Sequence, residues 1–461
     1  MIINTLLAAI QNFDAKFIDL RFTDMIGKEQ HITIPANLVD ENFMLEGKII
    51  DGSLFKGWCE KNQHELCLMP DLDHISLDPF YQENTIFVRC HIVDPASKKS
   101  YARDPRSIAQ RAEIYLESTG IADQAFFGPE PEFFIFDGIR WQTTMNSSFY
   151  KIDSEDADWS SGKLIEGGNI GHRANIRSGY LSIPPIDSSQ DIRSAIAMIL
   201  QKLGIKVEAH YHERATANQC KIVTQANSLT RKADELQVLK YIVHNVVHNY
   251  GKTATFMPKP LVGEDGNGMR CHQSLYKDGI NLFAGGCYAG LSELALYYIG
   301  GILKHAKALN AFTNPAINSY KRLVAPLLLA YSSCNRAAAI HIPYTHSVQS
   351  RRIEVCFPDS SANPYVAFAA ILMAGLDGIQ QKIDPGQAMD NHLSTTFIEH
   401  PTLAHSLQEA VSSLQSDHDF LLQGDVFSEE FIKTNLSLRE QEIDYFRTLV
   451  HPYEFELYYS L

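Results

Sequence analysis

The sequence predicts an α+β protein in which a small strand-rich part precedes a larger unit of mixed strands and helices. Three observations carry this: β-type runs in the first hundred residues, a helix start at Asp104-Pro105, and interleaved strand and helix patterns beyond it. Length alone, at 461 residues, also allows about three domains.

In chain order, FIDLRFTDMIGKEQHITIP holds two short β-type runs around an Ile-Gly turn, and TIFVRCHIVD is a third. Asp104 is placed to cap a helix with Pro105 at its first position. Ile108, Ala112, Tyr115 and Leu116 then form an apolar stripe that stops at Gly120. The domain border is drawn at that cap, giving 1–103 and 104–461.

GPEPEFFIF, residues 128–136, reads as a strand with Glu130 and Glu132 on one face. Two like charges there hold a cation, are neutralised by another part of the fold, or simply face solvent. Residues 158–187, rich in Gly, Ser and Pro, read as a long ordered loop. Ile192, Ile196, Ile199 and Leu203 mark a helix ending at Gly204, and KVEAHYHE follows as an alternating strand. That strand puts Glu208, His210 and His212 on one face. The histidines suit either a polar core or a zinc pair, and no third histidine stands at ligand spacing.

A long helix over 231–250 has Leu236, Leu239, Ile242, Val243 and Val246 on its apolar side, and SELALYYIGGILKHAKALN and NPYVAFAAILMAGLDGIQQ read as two more. Gly251-Lys252-Thr253 imitates the end of a phosphate-binding loop. It closes a helix instead of opening one, and Val246 stands where the first glycine belongs.

A net charge of −14 without a basic stretch argues against nucleic acid as a partner. No apolar run approaches the ~20 residues of a membrane helix. The eight cysteines are scattered without a CxxC pair, and MIINTLLAAIQNFDAKF has no basic leader. These features point to reduced thiols in the cytoplasm.

Several stretches together resemble glutamine synthetase of the bacterial type: GPEPEFFIFDGIRW, EGGNIGHRANIRSGYLSIPPIDSSQDIRS, KTATFMPKPLVGEDGNGMRCHQSL, NPAINSYKRLV and RRIEVCFPDSSANPYVAFAAILMAGLDGI. The resemblance runs in order along nearly the whole chain. It implies the glutamine synthetase fold: a small β-grasp-like N-terminal domain and a large catalytic-type domain of helices on a curved antiparallel sheet. It implies dodecamers of two hexameric rings, with each site shared between neighbouring subunits. The implied reaction uses ATP and Mg²⁺ or Mn²⁺ to convert glutamate's γ-carboxylate into an acyl phosphate that ammonia attacks.

Carried over by position, the resemblance assigns metal ligation to Glu130, Glu132, Glu213 and Glu354, and nucleotide contact to Glu208, His272, Ser274 and Arg352. It assigns substrate binding to Gly266 and Arg322, and catalysis to Asp51 and Arg336, with Tyr180 beside Asp51 on the ammonium side. From the residues themselves, Asp51 equally suits a turn cap before Gly52, Tyr180 suits packing, and Arg322 and Arg336 suit structural ion pairs.

Departures from the family pattern set a second expectation. Lys221 and Arg270 stand where a metal-binding glutamate and histidine belong, and Cys356, His341, Gln349 and Ala226 replace further site residues. Four residues of a site-closing loop are absent between Val324 and Ala325, and Ser394 replaces a regulatory tyrosine. Lys221 and Arg270 then act as metal-replacing cations, and metal binding is weakened or lost. The expectation is a catalytically inactive or strongly impaired paralogue, structural or regulatory, assembling with itself and with an active glutamine synthetase. The alternative is an active ATP-dependent carboxylate–amine ligase, either glutamine synthetase or a related γ-glutamyl-amine ligase.

Overall fold

The computed structural model describes residues 3–58, 65–323, 327–390 and 400–460. Its N-terminal sheet has five strands in the order Glu29–Pro35, Phe17–Thr23, Thr85–Val93, Glu65–Leu77 and Lys48–Asp51. The two runs around the Ile-Gly turn pair antiparallel as expected. Gly27 is required in that turn: its φ is +90°, and a Cβ there would lie 3.0 Å from Asn363 Cα. The strand Glu65–Leu77 escapes a pattern reading because its pairing with Thr85–Val93 shifts register between Pro70 and Ile75.

The helix Pro105–Ser118 begins where the cap places it, with the Asp104 carboxylate accepting from the Arg106 and Ser107 amides, each at 3.2 Å. Its stripe buries Ile108, Ala112 and Leu116. An N-terminal helix, Ile3–Asn12, and an exposed hairpin, Gly138–Thr144 with Ser147–Asp153, are further elements that no strong pattern announces.

The large sheet runs Leu328–Ser332, Ala338–His341, Ile353–Val355, Met269–Lys277, Gln124–Phe136, Gln219–Thr224 and Val207–His212. The first two of these pair parallel, and the other neighbours pair antiparallel. The helices Leu229–Asn249, Glu293–Thr313 and Pro364–Gln381 line the core with buried Leu236, Tyr298, Ile302, Phe368 and Leu372. The last two approach closely at Gly301, where a Cβ would stand 2.0 Å from the Ala374 carbonyl. Gly251-Lys252-Thr253 does close the long helix: Gly251 has φ +71°, and Lys252 pairs with Asp137. Between 158 and 187 the one regular element is the short 3₁₀ turn Asp158–Ser160.

Buried charge joins the two parts. Asp234 on the long helix accepts from Arg106 Nε and Nη2, both at 2.9 Å, and from Tyr365 Oη at 2.7 Å. Arg89, on the N-terminal sheet, lies 3.6 Å from the same carboxylate and 2.6 Å from Glu29. Arg106 also reaches Asp71 at 2.6 Å. Among the described residues, no helix is long and apolar enough to cross a membrane.

Candidate active site

Strand register builds the site. In antiparallel pairs, directly opposed residues share a face, as do residues two apart along one strand. Arg270 opposes Glu130, and His272 opposes Gly128 on one side and Glu354 on the other. Lys221 opposes Glu132, and His341 opposes Glu354. Five strands thus bring Glu130, Glu132, Lys221, Arg270, His272, His341 and Glu354 to one sheet face. This resolves the charge question raised by GPEPEFFIF, since neither glutamate is a solvated strand residue.

Three carboxylates surround one ammonium. Lys221 Nζ lies 2.8 Å from Glu213, 3.0 Å from Glu132 and 3.5 Å from Glu130. Glu132 uses its other oxygen to accept the Gly268 amide at 2.7 Å. Burial disfavours a charged lysine, but Glu132, Glu213 and Glu130 override it and hold the ammonium protonated well above the ordinary lysine range. Glu213 moves up, first through burial and then through repulsion from Glu132, which together outweigh Lys221. One cation does not relax three carboxylates equally.

A second cluster lies beside it. Ligand atoms of Glu130, His272 and Glu354 all fall within 4.8 Å of one another, the one such group of three among the described residues. His272 Nε2 is 2.9 Å from Glu130, while Arg352 Nε donates to His272 Nδ1 at 3.3 Å. His341 Nδ1 lies 2.8 Å from Glu354, and Arg270 donates to it at 3.3 Å. Burial opposes ionisation of Glu354, yet His341, His272 and Arg270 hold its carboxyl down at about 2. Glu130 is likewise lowered against its burial, by His272 and then Lys221. Two carboxylates and an imidazole at this spacing fit one divalent cation of the Mg²⁺, Mn²⁺ or Zn²⁺ kind once Arg352 turns away from Nδ1, so that the ring proton sits there and Nε2 is free to ligate. The oxygens around Lys221 do not fit another, because the ammonium already lies among them.

Both clusters open into a cleft of about 770 Å³ whose lining also includes Gly266, Arg322, Arg336 and Tyr180. Arg322 donates to the Phe357 carbonyl and, at 3.2 Å, to that of Pro358, while its buried Nε has no partner. Gly266 permits this packing: a Cβ would lie 2.2 Å from the Pro258 carbonyl and 2.9 Å from Arg322 Cγ. Arg336 is exposed at the cleft wall. Burial pushes the Cys356 thiol up to about 12, so it is no nucleophile at neutral pH.

The remaining expected positions are dispersed. Ser274 follows His272 by two on the same strand, whereas Glu208 is exposed on the edge strand Val207–His212. Asp51 does not line the cleft; its carboxylate accepts from the Ser53 amide at 2.9 Å and hydroxyl at 2.6 Å. Tyr180 packs edge-on against Tyr211, with centroids 5.8 Å apart. His212 Nδ1 bonds the Glu213 carbonyl at 2.6 Å, and neither His210 nor His212 joins the three-residue cluster. The Val324–Ala325 junction and Ser394 lie outside the described residues. Sequence reasoning missed His272 as a cation ligand and His341 as the partner of Glu354. Both follow from register, which no single-strand pattern reveals.

The sequence model for "Glutamine synthetase, catalytic domain" matches residues 102–458, and that for "Glutamine synthetase, beta-Grasp domain" matches 14–95. The chain is 55% identical to the glutamine synthetase of Vibrio cholerae, covering 100% of both chains. It is 56% identical to that of Methylococcus capsulatus and 54% identical to that of Escherichia coli K12, covering 99% of each chain in both cases. The cryo-EM structure of Plasmodium falciparum glutamine synthetase superposes with a TM-score of 0.89 at 27% identity, covering 98% of each chain. Identity of this extent along the whole chain overturns the expectation of an inactive or strongly impaired paralogue. The replaced residues do misfit the family pattern one by one, but they sit in a sequence that otherwise follows bacterial glutamine synthetases from end to end.

Proposed function

The chain belongs to the glutamine synthetase family, and from that premise we propose that it is an active ATP-dependent ligase joining ammonium to the γ-carboxylate of glutamate. The full-length identity of 54–56% to bacterial glutamine synthetases carries this reading.

The residues divide the work by position. Arg322 and Gly266 receive the glutamate end of the substrate in the cleft. Arg336, exposed at the wall, is free to swing onto a transferring phosphoryl group and offset its charge. His272, Ser274, Arg352 and Glu208 serve the nucleotide. Glu130, His272 and Glu354 would hold a divalent cation, which supplies charge neutralisation for the phosphates when bound. Asp51, away from its own chain's cleft, serves ammonium in a neighbouring subunit's site, within paired hexameric rings in the cytoplasm.

The test is glutamine formation from glutamate, ammonium and ATP with Mg²⁺ or Mn²⁺, using protein made in a host deleted for its own synthetase. Mass-resolved glutamine at a rate that collapses in Arg336→Ala supports the reading. Folded protein that forms none, and forms no other γ-glutamyl amide across a panel of small amines, refutes it.

A further inference from the structure

We infer that Lys221 is a resident cation of this cleft, so that each chain takes one divalent ion, on Glu130, His272 and Glu354, and no second ion beside it. The inference rests on the ligase reading for its purpose, although its geometry stands alone.

Glu130 and Glu132 come from one strand and Glu213 from just past the end of another, and all three meet at one Nζ, at 2.8 to 3.5 Å. An ammonium has three donors, and here it has three acceptors. The Lys221 side chain is 6% exposed, so solvent does not share this coordination. A divalent ion among the same oxygens would stand at contact distance from a like charge that burial prevents from leaving.

Arg270 behaves differently. It touches Glu354 alone within this group, at 3.3 Å, and 38% of its side chain is exposed. It occupies no cage and can turn aside, leaving Glu354 to the neighbouring cluster. Charge agrees with the count. Four carboxylates set against one ammonium and one guanidinium leave two negative charges, which one divalent ion cancels. A second ion would leave a buried positive excess. The two basic residues, equivalent in the sequence reading, therefore separate: Lys221 fills a cation position, and Arg270 trims the charge of another.

The measurement is a titration of chelator-stripped, full-length protein with Mn²⁺ alone, counting bound ions by the loss of free-Mn²⁺ electron paramagnetic resonance signal. One ion per chain is expected for the wild type. Lys221→Glu should bind two, and His272→Ala should lose the wild-type ion, with affinity at least 10-fold weaker. A wild-type count of two overturns the inference without reference to any variant, as does a folded Lys221→Glu protein that still binds one. Should Lys221→Glu fail to fold, the wild-type count and the His272→Ala loss decide the matter. One bound ion with no ligase product refutes the proposed function and leaves this inference standing; two bound ions with product do the reverse.

Discussion

Lys221 and Glu132 face each other across an antiparallel strand pair, with Nζ 3.0 Å from Oε1. Backbone register sets the two side chains opposite each other on one face of the sheet. Lys221→Ala leaves buried Glu213 and part-buried Glu130 and Glu132 without their counter-charge and should cost up to about 3–5 kcal/mol, the range for breaking a buried pair by removing one member. Urea unfolding would measure it. Added Mn²⁺ should return part of the loss in that variant, because the cage is then open.

Acid should weaken the molecule through Glu354. Its carboxyl titrates at about 2 in the fold against an ordinary 4.5, so the native state releases this proton more readily than the unfolded chain. The resulting stabilisation is complete above about 4.5 and is lost as the pH falls from there through 2. His341→Ala, which removes the hydrogen bond at 2.8 Å, should lower the melting temperature at pH 7 and converge with wild type near pH 2. Melting curves across that interval give the comparison. Equal offsets at both ends would refute this assignment.

Arg106→Ala should rank among the most damaging substitutions outside the cleft. It strips Asp234 of two hydrogen bonds at 2.9 Å and Asp71 of one at 2.6 Å, leaving buried carboxylates short of counter-charge. A loss of ~3–5 kcal/mol is expected by the same reasoning as for Lys221. A loss under ~1 kcal/mol in denaturant titration would show that solvent reaches the network and screens it.

Gly266→Ala tests whether Arg322 is held for substrate. The new Cβ meets the Pro258 carbonyl and the Arg322 stem, so the loop backbone there must shift. Overpacking of this kind costs about 1–3 kcal/mol in stability. If Arg322 receives glutamate, KM for glutamate should rise several-fold more than kcat falls. Steady-state kinetics at saturating ATP separates the two, and a pure kcat effect would speak against that role.

Legibility in the sequence followed the range of the interaction. Asp104 and Pro105 announced their helix because capping acts over three residues, and the apolar stripes of the long helices repeat locally. The N-terminal β-runs were equally plain. Glu65–Leu77 was not, since its bulge breaks the alternation that a pattern reading needs. At the site, Glu130 and Glu132 were visible as an anomaly on one strand, and Lys221 as their candidate counter-charge. That His272 would join Glu130 and Glu354 depended on which residues oppose one another across three strands. Arg270 and Lys221 looked alike in sequence because exposure, which distinguishes them, is a property of the packed chain. Substitution at individual ligands also suggested lost activity, a conclusion that whole-chain similarity corrects.

Asp234 sets a timetable. Arg89 and Arg106 leave the ribosome with one carboxylate partner each already made, Glu29 and Asp71. The surface they present to the long helix stays wet until residue 234 has been synthesised, because a guanidinium buried without its carboxylate is costly. Tyr365, which donates to Asp234 at 2.7 Å, emerges later still. The first part of this molecule to be made is therefore among the last to be finished.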